Sequence, residues 1–286
     1  MNLRKSALLL FVCLLMLACS SEPSKPSTAL PYTAAKENLT ALDYDAALKN
    51  LDKTIKAAPD EPVGKEAAIV RVALLTAMAQ GSSVMAEAYG KGVTQPSARG
   101  QTGPYTRMRS DYLGMARVYL MDAMEAVLKQ RANLSDAPLP LQITFPDFSG
   151  TEPAAMDRIR NGMSVQDAER VRTELENSRN NMARLMAAMA GAGEDVHKGH
   201  AAFQAGTVQL DSRVYLMELS AAFYKLRAIF EAKALDDVRY LRTTIEVVQG
   251  NLDALDKLLA ARPDKAMQAR AKKLRADCDA ALKKIK

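Results

Sequence analysis

The stretch 238–285, VRYLRTTIEVVQGNLDALDKLLAARPDKAMQARAKKLRADCDAALKKI, decides the fold class. Val238, Leu241, Ile245, Val248, Leu252, Leu255 and Leu259 follow one another in steps of three and four, which places them on one face of a helix. A second stripe answers it: Met267, Ala271, Leu274, Cys278, Ala281 and Ile285. Between them stands Arg262-Pro263-Asp264. Proline ends one helix and aspartate caps the next. The expected product, assigned to 236–286, is an antiparallel helix hairpin with both stripes buried against each other and against the preceding helices.

Working back along the chain, the same spacing recurs. Asp211–Ala234 reads as a helix. Ser164–Met189 carries Val171, Leu175, Ser178, Met182, Leu185 and Met189; Ser164 with Asp167 resembles a capping box, and Gly191 and Gly193 stop it. Asp111–Arg131 is apolar on most sides and is expected at the centre of the fold, and Lys65–Tyr89 is another apolar helix. Composition agrees: 48% of residues are hydrophobic but only 5% aromatic, with no Trp, so Ala, Leu and Met must fill the core. No alternating run is long enough for a sheet. The chain is expected to be all-α, built of antiparallel helix hairpins.

Two segments break the helical pattern. Gly92–Pro104 is rich in Gly, Pro, Ser and Thr. The longer one, 133–163, holds Pro138, Pro140, Pro146 and Pro153 and is read as a long Pro-rich loop. Within it Leu139, Leu141, Ile143 and Phe145 alternate, and Phe148 follows. Prolines limit the conformations to be lost on ordering, and aromatic anchors dominate many interfaces. Ile143, Phe145 and Phe148 are therefore candidate partner-binding residues; the competing expectation is that the two phenylalanines only staple the loop to the helices.

Asp43-Tyr44-Asp45-Ala46-Ala47-Leu48, running on to Pro59, places Tyr44, Ala47, Leu51, Thr54 and Pro59 at the spacing of the second half of a helical repeat. It resembles a tetratricopeptide repeat over about one unit. The resemblance implies tetratricopeptide-like hairpins over 33–92, passing into a helical bundle, with the small Ala47 letting two helices approach. The first helix, Thr33–Leu42, lacks the family's aromatic and Leu-Gly signals, and Leu42 and Thr54 stand where that family usually has Gly and Ala.

At the start of the chain Arg4 and Lys5 precede an apolar run, Ala7–Leu17, interrupted only by Cys13. Spanning a bilayer takes ~20 such residues, so this run has signal-peptide length. It ends on Met16-Leu17-Ala18-Cys19, which resembles the lipobox of bacterial lipoproteins. The resemblance implies a signal peptide at 1–18, a lipidated Cys19, and tethering at the periplasmic face of the outer membrane, since Ser20 is not the Asp of inner-membrane retention. The Ser- and Pro-rich residues 19–32 then form a flexible tether, and 33–286 a single helical domain. Without the leader the net charge is +4, two fewer than the +6 of the whole chain. No block of like charge stands out and no nucleic-acid partner is expected. Cys278 is then the one cysteine left besides Cys19.

Candidate chemistry is sparse. His197 and His200, three apart with Glu194 and Asp195 before them, are weak metal candidates set against a polar interhelix loop that Gly199 would favour. Cys278 and Met182, Met186 and Met189 read as core. The C-terminal stretch is rich in Lys and Arg, suited to anionic lipid or an acidic partner, or simply to a solvated face. No phosphate loop, nucleophile elbow or carboxylate pair is present, so no enzyme activity and no cofactor are expected. The expected function is a lipid-anchored helical scaffold or adaptor holding an envelope protein or peptide partner. The alternative is a small-molecule-binding accessory lipoprotein of a periplasmic uptake transporter; an enclosed apolar pocket would favour it, and an open groove the scaffold.

Overall fold

The computed structural model describes residues 29–141, 151–193, 195–206, 208–231 and 237–285. In chain order the elements are α1 (Ala29–Thr40), α2 (Tyr44–Ala57), α3 (Pro62–Val93), a 3₁₀ turn (Pro96–Ala98), α4 (Thr102–Arg131), β1 (Leu139–Leu141), α5 (Ala155–Arg160), α6 (Asp167–Met189), α7 (Val196–Gln204), β2 (Val208–Leu210), α8 (Ser212–Leu226), α9 (Ala228–Glu231), α10 (Val238–Ala261) and α11 (Lys265–Lys284). The fold is all-α.

The central helix is α3, not the helix ending at Arg131. Small residues and aliphatics bury α3 on all sides between α2, α4 and α6. It is the described helix long and apolar enough to cross a membrane, yet 72% of its most apolar window is buried inside the protein, as a core helix requires. By contrast α4 is one-sided. Tyr105, Tyr112, Ala116, Leu120, Ala123 and Val127 face inward, while Val118 and Leu128 are exposed. It also starts nine residues earlier than the apolar pattern indicated, because Tyr105 packs into the core despite the Gly103-Pro104 pair.

The C-terminal hairpin forms as the stripes dictate. Ile245, Val248, Leu252, Leu255 and Leu259 of α10 are buried, as are Met267, Ala271, Leu274 and Cys278 of α11; Val238, in the first turn of α10, is exposed. The Asp264 carboxylate accepts from the Met267 amide at 2.9 Å, the expected cap. Arg213 anchors this turn to α8: its guanidinium pairs with Asp211 and donates to the Arg262 carbonyl at 2.7 Å. Burial pushes the Cys278 thiol up to about 11.

Several expectations are corrected. The first helix begins at Ala29 rather than Thr33, so Leu30–Tyr32 belong to it and not to the tether; Tyr32 is buried. The helix of 164–189 begins at Asp167 with Gln166 as its N-cap and no side-chain cap, so the Ser164–Asp167 capping box does not form. The 211–234 helix divides at Arg227 into α8 and α9. The 133–163 segment is not all loop: it contains α5, whose Met156 and Ile159 are fully buried, and β1. A short sheet exists after all. β1 pairs antiparallel with β2, Leu139 opposite Leu210, Pro140 opposite Gln209 and Leu141 opposite Val208. Leu141, Val208 and Leu210 are buried, which is what the alternation at 139–141 encoded.

Candidate functional site

The turn between α1 and α2 is the first wall of an open groove. The Leu42 amide donates to the Leu39 carbonyl at 3.2 Å, and the Asp43 amide to the Asn38 carbonyl at 2.9 Å. This double bond pattern ends a helix only when the residue at Leu42 is left-handed, and its φ is +60°. Glycine is the usual occupant; leucine here holds a conformation that disfavours its own Cβ. Its side chain lines the groove. Asp43 then caps α2, its carboxylate accepting from the Ala46 amide at 3.1 Å.

Tyr44, Ala47, Leu51 and Thr54 are all buried, and each has a packing reason. Thr54 donates its hydroxyl to the Asn50 carbonyl at 2.9 Å and so carries its polar atom into the core satisfied. Tyr44 crosses the groove floor and donates to the Leu175 carbonyl of α6 at 3.3 Å.

The opposite walls come from α4 and α6. Tyr105, Tyr112 and Tyr119 recur every seven residues on one face of α4. Tyr89 of α3 packs edge-on to Tyr105 with ring centroids 5.0 Å apart and stacks on Tyr112 at 5.8 Å. Arg170 donates to the Tyr112 hydroxyl at 3.2 Å, and both groups act on the neighbouring Glu174. Burial, more than any neighbour, raises the Glu174 carboxyl above its ordinary range, with Tyr112 and Arg170 acting against the shift. Tyr119 is also raised, first by burial and then by Glu174, Asp45 and Asp122.

The groove so formed has a volume of about 450 Å³ and is lined by Leu42, Tyr44, Met78, Met115, Tyr119 and Leu175 on its apolar side and by Asp43, Asp45 and Glu174 on its polar side. Three carboxylates and no cation belong to its lining, in a chain of net charge +6. Outside the lining, Arg170 lowers the Glu174 carboxyl and Arg179 lowers the Tyr44 hydroxyl, each against the larger effect of burial. Other recesses carry cations in their own lining. That between α2, α3 and α4 holds Arg71 on Asp52 at 2.6 Å and Lys129 on Glu125 at 2.5 Å; that beside α5 holds Arg158 on Glu169 at 2.5 Å. The recess between α4, α8 and α10 mixes Arg131 and Lys257 with Asp253.

The residues singled out in the sequence fall elsewhere. Cys19, Ile143, Phe145, Phe148 and Glu194 lie outside the described residues. His197 and His200 sit not on a loop but on α7, capped by Asp195. Gly199 is there for packing: a Cβ would overlap Ala187 of α6. Among the described residues, no group of three or more His, Cys, Asp or Glu is placed to hold a metal ion. Tyr119 and Glu174 went unnoticed in the sequence, although the seven-residue tyrosine spacing on α4 was a visible signal in a chain this poor in aromatics.

Compared with known proteins, the chain matches no family model, no curated protein and no solved structure.

Proposed function

We propose that the protein is a lipid-anchored, non-catalytic adaptor of the bacterial cell envelope, which holds a segment of a partner protein in the groove between the α1–α2 turn, α4 and α6. The observation that carries this reading is the unbalanced charge of that groove. Glu174, Asp43 and Asp45 face it beside Met115, Tyr119 and Leu42, with no cation in the lining. A peptide carrying a lysine or arginine between apolar residues complements both sides. Its cation would meet Glu174, and its apolar neighbours the methionines, which adapt their shape to varied ligands. A desolvated carboxylate gains more from such a cation than a surface one does.

Support for the envelope location is the basic n-region, the short apolar run and the small-residue–Cys19 junction at the start of the chain. The tether would keep the groove at high local concentration near envelope partners. The recesses described are open to solvent, and none is an enclosed apolar chamber of the kind a small-molecule carrier needs.

Binding of the purified protein to an array of short peptides tests the reading. Peptides with one Lys or Arg flanked by Leu, Met or Phe are expected to bind, their Glu-substituted counterparts are not, and Glu174→Gln is expected to abolish the difference. Equal binding of both peptide sets, or none, contradicts it.

A further inference from the structure

The last helix, α11, divides its cations into two kinds. The arginines on its flanks are paired with carboxylates of the same protein. Arg275 reaches Asp253 at 2.8 Å and Asp256 at 2.7 Å, and Arg270 reaches Glu218 at 2.8 Å. The lysines are not so held. Lys265, Lys272, Lys273, Lys283 and Lys284 are exposed and make no ion pair among the described residues. At 100° per residue they fall on one side of the helix, opposite the buried Met267, Ala271, Leu274 and Cys278. The exposed residues between them on that side, Ala269, Ala276 and Ala280, are small. Asp277 and Asp279 stand at the two edges of this stripe; the Asp279 carboxylate accepts from Gln249 at 2.9 Å. The result is a row of ammonium groups ~30 Å long, none in an ion pair among the described residues, with nothing bulky between them.

We propose that this lysine stripe rests on an anionic phospholipid surface and orients the tethered domain on the membrane. Fixed arginine pairs need geometry, which the planar guanidinium supplies; a fluid layer of phosphates needs only mobile point charges, which lysine supplies. Alanines let the helix lie close to the headgroups. The choice of a lipid surface over an acidic protein rests on the envelope-anchored reading of the N-terminal sequence. An acidic protein would also need apolar anchors beside the charges to hold it, and none stands on this side of α11.

The test uses the protein beginning at Ser20, without the signal segment and without an acylated Cys19, so that vesicle binding reports the stripe and neither the leader nor the lipid. It is incubated with phosphatidylcholine vesicles, with or without about a third phosphatidylglycerol, and sedimented. Binding to the anionic vesicles at low salt, at least ~10-fold tighter than to neutral ones and lost as salt is raised, is expected. Replacing the five lysines by glutamine should remove that preference with the helical circular dichroism unchanged. Equal binding to both vesicle types, no binding to either, or a five-lysine variant that binds like its parent overturns the proposal. Failure of the anchored reading looks different: in cells, with membranes washed at high salt to screen the stripe, Cys19→Ala would leave processing and fractionation unchanged while the vesicle preference persisted.

Discussion

The Tyr44 hydroxyl donates to the carbonyl of Leu175 at 3.3 Å, across 131 positions of sequence. It ties the helix hairpin at the start of the domain to α6 and floors the acidic groove. Tyr44 is buried, and burial raises its hydroxyl far beyond the usual tyrosine range, so it stays a donor at every physiological pH.

Tyr44→Phe removes that bond and nothing else of comparable size. A net loss of about 1 kcal/mol is expected, seen as a lower urea midpoint at unchanged slope. A loss above about 3 kcal/mol would mean that the hairpin depends on this bond for its docking, not only on apolar packing.

Leu42 pays in backbone conformation for a side chain in the groove. Leu42→Gly relieves the left-handed strain, roughly 1 kcal/mol, and forfeits a partly buried side chain of similar worth. Stability is therefore expected within about 1 kcal/mol of the parent, while peptide affinity falls. Leu42→Val, β-branched at a positive φ, should destabilise by more than Leu42→Gly. Thermal unfolding of the two variants checks the order.

Glu174 sets a pH dependence with a definite sign. Its carboxyl is raised in the folded protein, so the stability it lends is fully present below the unfolded carboxylate range and is lost as pH rises through its folded value. Glu174→Gln should therefore be more stable than the parent near neutral pH and indistinguishable from it in mild acid. Peptide binding runs the other way. A cation in the groove favours the ionised carboxylate, so affinity should rise with pH through the same range and binding should release a proton. Calorimetry in buffers of different ionisation enthalpy reads that proton directly.

Gly199 and Cys278 test the packing. Gly199→Ala places a methyl against Ala187 and should cost about 1–3 kcal/mol by forcing α7 away from α6. Cys278 is fully buried, with its thiol pushed up to about 11, so an aromatic disulfide reagent at mild alkaline pH should leave it unmodified until denaturant is added.

Much of the fold was legible because period and punctuation agreed. The stripes on either side of Pro263, the Asp264 cap and the Gly191–Gly193 stop all appear where the residues indicated, the two glycines at φ +77° and +61°. What escaped the reading had competing local signals. Gly103-Pro104 read as a loop, yet the burial of Tyr105 draws it into α4. Ala155–Arg160 was hidden among prolines, although Met156 and Ile159 are core. The central place of α3 depends on Gly64, Gly81 and Gly92, which in sequence are only weak helix formers. Each is instead a point of close approach: a Cβ at Gly81 would overlap Ser178, and one at Gly92 the Ile159 carbonyl. The candidate site was harder still. Leu42, Tyr119 and Glu174 come from three separate elements, and no linear pattern joins residues that only tertiary packing brings together.

Site-specific photocrosslinking in cells tests the central claim most directly. A photoreactive phenylalanine analogue replaces Tyr119 inside the groove or, as a control, Val118 on the exposed side of the same helix. The adaptor reading predicts one discrete envelope-protein adduct from position 119, weakened by Glu174→Gln, whose crosslinked segment carries a Lys or Arg among apolar residues. Position 118 should give no such adduct. The same adduct from both positions, or an adduct at 119 indifferent to Glu174, would contradict it.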